Sequence, residues 1–215
     1  RRYLKQHNKQ AQNLLIRYAE PFSAMAAIAG GRYPKELIDK AWLFLLEAHP
    51  HDSINGVTQD KTADDVDNRL QQVMDISQTV TNRALQVLVG SIDMNGFEDD
   101  AVLLAVFNPL PYERSEIVEA LVAMPDTRLP YEVWRAYAAP EGLQVFDSED
   151  KPVDTQNKGC TVEKYSVSEI HTRAFPYHCL RHRVFFQAVK IPPAGYAVFR
   201  VRNLEPNLRR SVRWS

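Results

Sequence analysis

The chain has 215 residues and carries 26 Lys and Arg against 27 Asp and Glu, a net charge of −1. That length holds one large domain or two small ones, and the near-neutral balance gives no overall pull toward nucleic acid or an anionic membrane. No run approaches the ~20 apolar residues of a membrane span, and two cysteines, Cys160 and Cys179, are too few for a disulfide framework or a four-cysteine metal site, so a reducing cytoplasm is the expected location.

The opening Arg1-Arg2-Tyr3-Leu4 has neither a methionine nor the pattern of a signal peptide, which leads us to expect a piece of a longer chain. Of the thirteen prolines, three fall in residues 1–97 and ten in 98–215. Helices are therefore expected in the first part and turn-rich strands in the second, with the domain boundary between 97 and 98. Leu4, Ala11, Leu15, Tyr18, Phe22 and Met25 form the stripe of a first helix, which Pro21 should bend or split and Gly30-Gly31 should end. A second helix begins at Pro34, with Ile38, Ala41, Trp42, Leu45 and His49 on one face, and Pro50 stops it. Thr62 and Asp65 have capping-box spacing at the start of a third helix, whose stripe runs Val66, Leu70, Val73, Ser77, Val80, Ala84 and Val87 up to Gly90. Three such stripes bury one another most simply as an antiparallel three-helix bundle.

From Ala101 the period changes to two. Strands are expected at 101–107, 116–122, 133–137, 143–146, 161–167, 182–189 and 196–201, the last introduced by Pro192-Pro193-Ala194-Gly195. Many short strands between Pro and Gly turns indicate antiparallel, sandwich-like sheets, so the fold class expected is α+β. The polar tail from Asn203 reads as a linker or an unfinished element, and Glu98-Asp99-Asp100 as a hinge.

The chemistry concentrates in His49-Pro50-His51-Asp52-Ser53-Ile54-Asn55-Gly56, directly after an apolar helical run. Imidazole is neutral near pH 7 and ligates metals, and a carboxylate beside it accepts hydrogen bonds or binds cations. His49 and His51 share a side only in an extended stretch, so they hold one metal only there. Alternatives stand beside each residue. His49 fits packing or capping at the helix end, and Asp52 fits an ordinary helix N-cap. His51, just past the helix, is the better placed of the two histidines to face a cleft. His7 reads as polar helix surface. His171, His178 and His182, beside Arg173, Arg181 and Arg183, read as a solvated basic strand face.

The string His51-Asp52-Ser53-Ile54-x-Gly56 after a Trp- and Leu-rich helix resembles the zinc α-mannosidases of glycoside hydrolase family 38, particularly their bacterial branch. In that family an Asn-His-x-His-Asp-Ser kind of motif closes the second helix of a central three-helix domain; here its first position is Ala48. Arg2-x-Leu4-Lys5-x-x-Asn8, Asn13-Leu14-Leu15 and Ala19-Glu20-Pro21 are similar to the first central helix, and Pro34-x-x-Leu37-x-x-x-Ala41-Trp42 to the second. Phe107-Asn108-Pro109 and Ala194-Gly195-Tyr196 are similar to the start of the β-domain. The resemblance implies that His51 is a zinc ligand, that Asp52 holds hydroxyls of the mannose in the cleavage subsite, and that His49 supports the loop. It implies a retaining mechanism in which Zn2+ binds sugar hydroxyls while two carboxyl groups act as nucleophile and acid/base. The remaining zinc ligands and the nucleophile belong, by that resemblance, to an N-terminal barrel outside these residues. One histidine does not make a zinc site. The expectation is therefore a contributor of one ligand and one carboxylate, inactive alone, whose partners are the mannoside, the barrel and further β-domain of the same chain, and, as an open option, a second copy.

Two other readings compete. One is a non-enzymatic carbohydrate- or protein-binding module using Trp42, Trp134 and Tyr137, although aromatics at core spacing are more often core. The other is an independent metal hydrolase built on His49, His51 and Asp52, which is short of ligands.

Overall fold

The first apolar stripe folds as one continuous helical rod. In this computed structural model, which describes residues 1–98, 101–126, 142–167 and 175–204, helix α1 (Arg2–Leu14) passes through a π turn (Leu15–Ala19) into α2 (Glu20–Ile28), with right-handed helical dihedrals at both junctions. Pro21 near the start of α2 neither breaks nor splits the rod. Proline cannot donate to the α ladder and its ring presses on the carbonyl four residues back, so a wider turn just upstream is where the conflict is absorbed. The extra residue of that turn also shifts the stripe. Ala19 and Ala26 are buried where Tyr18 and Met25 were expected, and Tyr18 is exposed.

After Gly30-Gly31, helix α3 (Lys35–Glu47) begins behind Pro34, whose carbonyl accepts from the Leu37 and Ile38 amides. It buries Ile38, Ala41 and Leu45. A five-residue helix α4 (His51–Asn55) follows, then the long α5 (Asp60–Gly90). The segment therefore holds more helices than the three expected. α5 starts at Asp60 behind Gln59 with no side-chain cap, so Thr62 lies inside the first turn and the expected Thr62–Asp65 box does not form. Its buried stripe runs Ala63, Val66, Leu70, Val73, Ser77, Val80, Ala84 and ends at Leu88 rather than Val87. α5 packs along α1, α2 and α3, and the shared core gathers Leu4, Leu15, Leu45, Leu70 and Val73, each 0–1% exposed. Burying each of these side chains stabilises by about 1.5–3 kcal/mol.

The chain divides into two compact units, one of Arg1–Asn95 with Pro109–Tyr112 and one of Gly96–Asn108 with the described residues from Glu113 onward. Among the described residues the second unit contains two antiparallel three-stranded sheets. One runs β1 (Val102–Asn108), β6 (Gly195–Asn203), β3 (Leu143–Phe146); the other runs β2 (Arg114–Pro125), β5 (Phe175–Ile191), β4 (Thr155–Val167). Their inner faces share one core, with Val122, Val184 and Phe186 from the second sheet against Val145, Phe199 and Val201 from the first. The Phe186 and Phe199 rings meet edge-on at 5.0 Å, a favoured aromatic geometry. The expected strand 133–137 with Trp134 and Tyr137, together with His171, Arg173, Asp99-Asp100 and the tail beyond Leu204, lies outside the described residues.

Candidate functional site

Pro50 sets the site's backbone. Its φ of −49° and ψ of 135° end the run from α3, and its carbonyl then accepts from the Ser53 and Ile54 amides at 2.9 and 3.1 Å to start α4. Gly56 closes α4 in the left-handed region, at φ 82°. A Cβ there would lie 3.0 Å from the Arg1 backbone nitrogen, so both dihedral and space call for glycine. The Asn55 carboxamide oxygen accepts the Val57 amide at 3.0 Å, and Arg1 donates to the Thr58 carbonyl at 2.7 Å and pairs with Asp60.

His51 and Asp52 occupy the first turn of α4, with the imidazole Nε2 3.2 Å from the carboxylate Oδ1. Their side chains are 90% and 69% exposed. The cap position belongs to Pro50, so the N-cap alternative for Asp52 does not hold. The carboxylate stays in water, where it accepts hydrogen bonds from whatever approaches. Imidazole nitrogen and carboxylate oxygen are both donor types that zinc takes. Among the described residues no group of three or more His, Cys, Asp or Glu side chains converges, and the pair by itself offers two donors where a zinc site takes three or four.

His49 faces the other way. Its Nε2 lies 2.7 Å from Asn8 Oδ1, an acceptor, so the ring donates there, and the Gln12 amide nitrogen is 3.3 Å from the same atom. This ties the end of α3 to α1 and does not bring His49 to His51 as a second ligand. Gln12 escaped the sequence reading, though its four-residue spacing from Asn8 on one helix face was the available signal. Glu20 and Trp42 also meet: the indole N–H donates to Glu20 Oε1 at 2.9 Å, and the ring packs against the core. That is the environment of a structural tryptophan, not of a sugar platform. His7 pairs with Asp67 at 2.5 Å.

In the strand unit the basic face divides by alternation. Arg181 and Arg183 point outward to Glu163 and Glu119, while His182 is fully buried, which corrects the solvated-face expectation for this residue. Asn157 donates to its Nδ1 at 3.1 Å; its Nε2 has no hydrogen-bond partner among the described residues. Burial lowers its pKa below the usual 6.5. Phe107-Asn108 and Gly195-Tyr196, far apart in sequence, become cross-strand neighbours. Their rings are 5.6 Å apart, and the buried Asn108 amide donates to the Ile191 and Pro192 carbonyls.

Residues 1–88 match the family model described as the alpha mannosidase middle domain. Among solved structures, an alpha-mannosidase from Enterococcus faecalis is 28% identical, with a TM-score of 0.79 over 94% of this chain and 24% of its own. A glycosyl hydrolase family 38 protein from Enterococcus faecalis gives a TM-score of 0.78 at the same identity and coverage. A putative mannosylglycerate hydrolase from Halalkalibacterium halodurans is 27% identical over 122 residues, 57% of this chain and 13% of the relative. The chain thus spans about a quarter of the length of these solved relatives. The chain is similar, through residues 1–88, to the alpha mannosidase middle domain, and over 94% of its length to a solved structure of glycosyl hydrolase family 38.

Proposed function

We propose that this chain works within a retaining, zinc-dependent α-mannosidase, supplying His51 as one zinc ligand and Asp52 as a carboxylate that holds mannose hydroxyls. The observation that supports it most is the pairing of the two side chains in the first turn of α4. One is 90% and the other 69% exposed, and the two pair with each other. Folding of the helical unit makes no use of either, since its core is built from other residues. A neutral imidazole offers the lone pair a zinc ion needs, and an ionised carboxylate accepts charge-assisted bonds from two neighbouring hydroxyls. When bound, zinc supplies an electrostatic clamp on sugar hydroxyls. The nucleophile, the acid/base group and the other ligands come from residues beyond this chain. On the same reading it acts in the cytoplasm, in keeping with a chain that has two cysteines, too few for a disulfide framework.

The test compares zinc content and aryl α-mannoside hydrolysis for three proteins: the 215-residue chain, a chain extended to the length of its relatives, and the extended chain with His51→Ala. Activity and stoichiometric zinc in the extended protein, lost by about 100-fold or more in the variant and absent from the short chain, is the expected result. Hydrolysis by the 215 residues alone would sink the proposal in favour of a self-sufficient hydrolase. An extended chain without activity would favour a binding module.

A further inference from the structure

α4 has five residues, too few to hold its own conformation in water. Something else must fix where His51 and Asp52 point, and α1 touches the segment at both ends. On the entry side, the His49 ring donates to Asn8 Oδ1 at 2.7 Å. On the exit side, Gly56 closes against the Arg1 backbone while Arg1 donates to the Thr58 carbonyl at 2.7 Å. Only Pro50 stands between His49 and His51, and a proline ring fixes its own φ. A hold on His49 is therefore passed to His51 with little slack. His49 and Asn8 are half-buried, whereas His51 and Asp52 face water, so holding and binding fall to different residues.

We propose that Asn8 and His49 form a positioning clamp that sets the direction of the His51–Asp52 pair. The clamp rests on the reading of that pair given under Proposed function. The zinc-binding residue and its carboxylate neighbour are then steered by helix α1, about forty residues away in sequence. Removing the clamp should weaken zinc and sugar binding without unfolding the helical core, because the core residues of α1, α3 and α5 are not part of it.

Two measurements test this. The first follows amide hydrogen exchange in the 215-residue chain, without zinc or substrate. Asn8→Ala and His49→Ala should speed exchange of the Ser53, Ile54 and Gly56 amides about tenfold and leave α5 amides unchanged. Unaltered exchange at these three amides overturns the clamp. The second uses the extended chain and reads zinc affinity, KM and kcat. Both alanine variants should bind zinc about 10- to 100-fold more weakly, the scale seen when partners behind a metal ligand are removed, and should raise KM. Asn8→Asp keeps the acceptor oxygen and His49→Gln keeps an N–H in place of Nε2, so both should stay within about threefold of wild type. A merely structural role would lower the melting temperature of all four variants and leave zinc affinity and KM alone, which overturns the proposal. His51→Ala, run alongside, keeps two failures apart. Zinc retained in that variant defeats the assignment of His51, and the clamp as its positioning device with it. Zinc lost there but retained in Asn8→Ala and His49→Ala defeats the clamp alone.

Discussion

His51 in the helical unit and His182 in the strand unit have the same side chain and opposite circumstances. His51 stands 90% exposed at the start of a one-turn helix beside Asp52. His182 is fully buried on the inner face of β5, one nitrogen accepting from Asn157 and the other without a hydrogen-bond partner among the described residues. The difference separates two uses of imidazole. An exposed ring keeps its lone pair available to a ligand but adds little to folding, whereas a buried ring adds packing and gives up access. Fold stability should therefore respond to His182, and binding to His51.

Substitution at the buried site puts the largest strain on this comparison. His182→Ala leaves a cavity in the strand core and removes an acceptor of the Asn157 amide, for an expected loss of about 2–4 kcal/mol. Urea unfolding monitored by circular dichroism measures it, and a loss below about 1 kcal/mol would remove the contrast. Acid should act on the same residue. Its folded-state pKa lies below 6.5 because burial disfavours the charged ring. As pH falls through 6.5 the unfolded chain takes the proton first, so stability declines from there down to the lower folded value. His182→Gln should flatten that part of the pH–stability curve. Gly56→Ala comes next, at about 1 kcal/mol, since alanine pays for the left-handed dihedral and meets the Arg1 backbone. The smallest effect sharpens the other side: His51→Ala should shift unfolding by less than about 0.5 kcal/mol, as exposed positions do. A larger cost would mean that His51 supports the fold after all.

Much of the architecture was legible because local rules and tertiary packing agree. The three- and four-residue steps of Val66, Leu70, Val73 and Ser77 are the buried line of α5, and β3 occupies the expected 143–146. Where expectation failed, a competing interaction decided. Thr62 had the spacing of a cap, but the helix begins two residues earlier at Asp60, so local capping chemistry lost to a longer helix. Flanking arginines made His182 look solvated, yet alternation along β5 sends neighbours to opposite faces. At the candidate site, the string 49–56 identified the segment, and Pro50 and Gly56 announced its turns. The partners of His49 were not legible as partners, because a contact spanning 41 residues depends on how α1 and α3 lie together. The resemblance had picked out Asn8 without saying what it touches.

The π turn at Leu15–Ala19 has a consequence for how much length the first helical rod tolerates. It works as a one-residue phase offset. Upstream of it Leu4 and Ala11 face the core, and downstream Ser23 and Ala26 do, on a stripe displaced by one position from Phe22 and Met25. Inserting one further residue beside exposed Ile16, with no second wide turn to absorb it, would turn the upstream part by about 100° relative to the downstream part. Leu4 and Ala11 would leave the core, and the face carrying Asn8 and Gln12 would swing away from His49. A single-residue insertion there, distant from the His51–Asp52 pair in sequence, is a rotation of the helix that holds it.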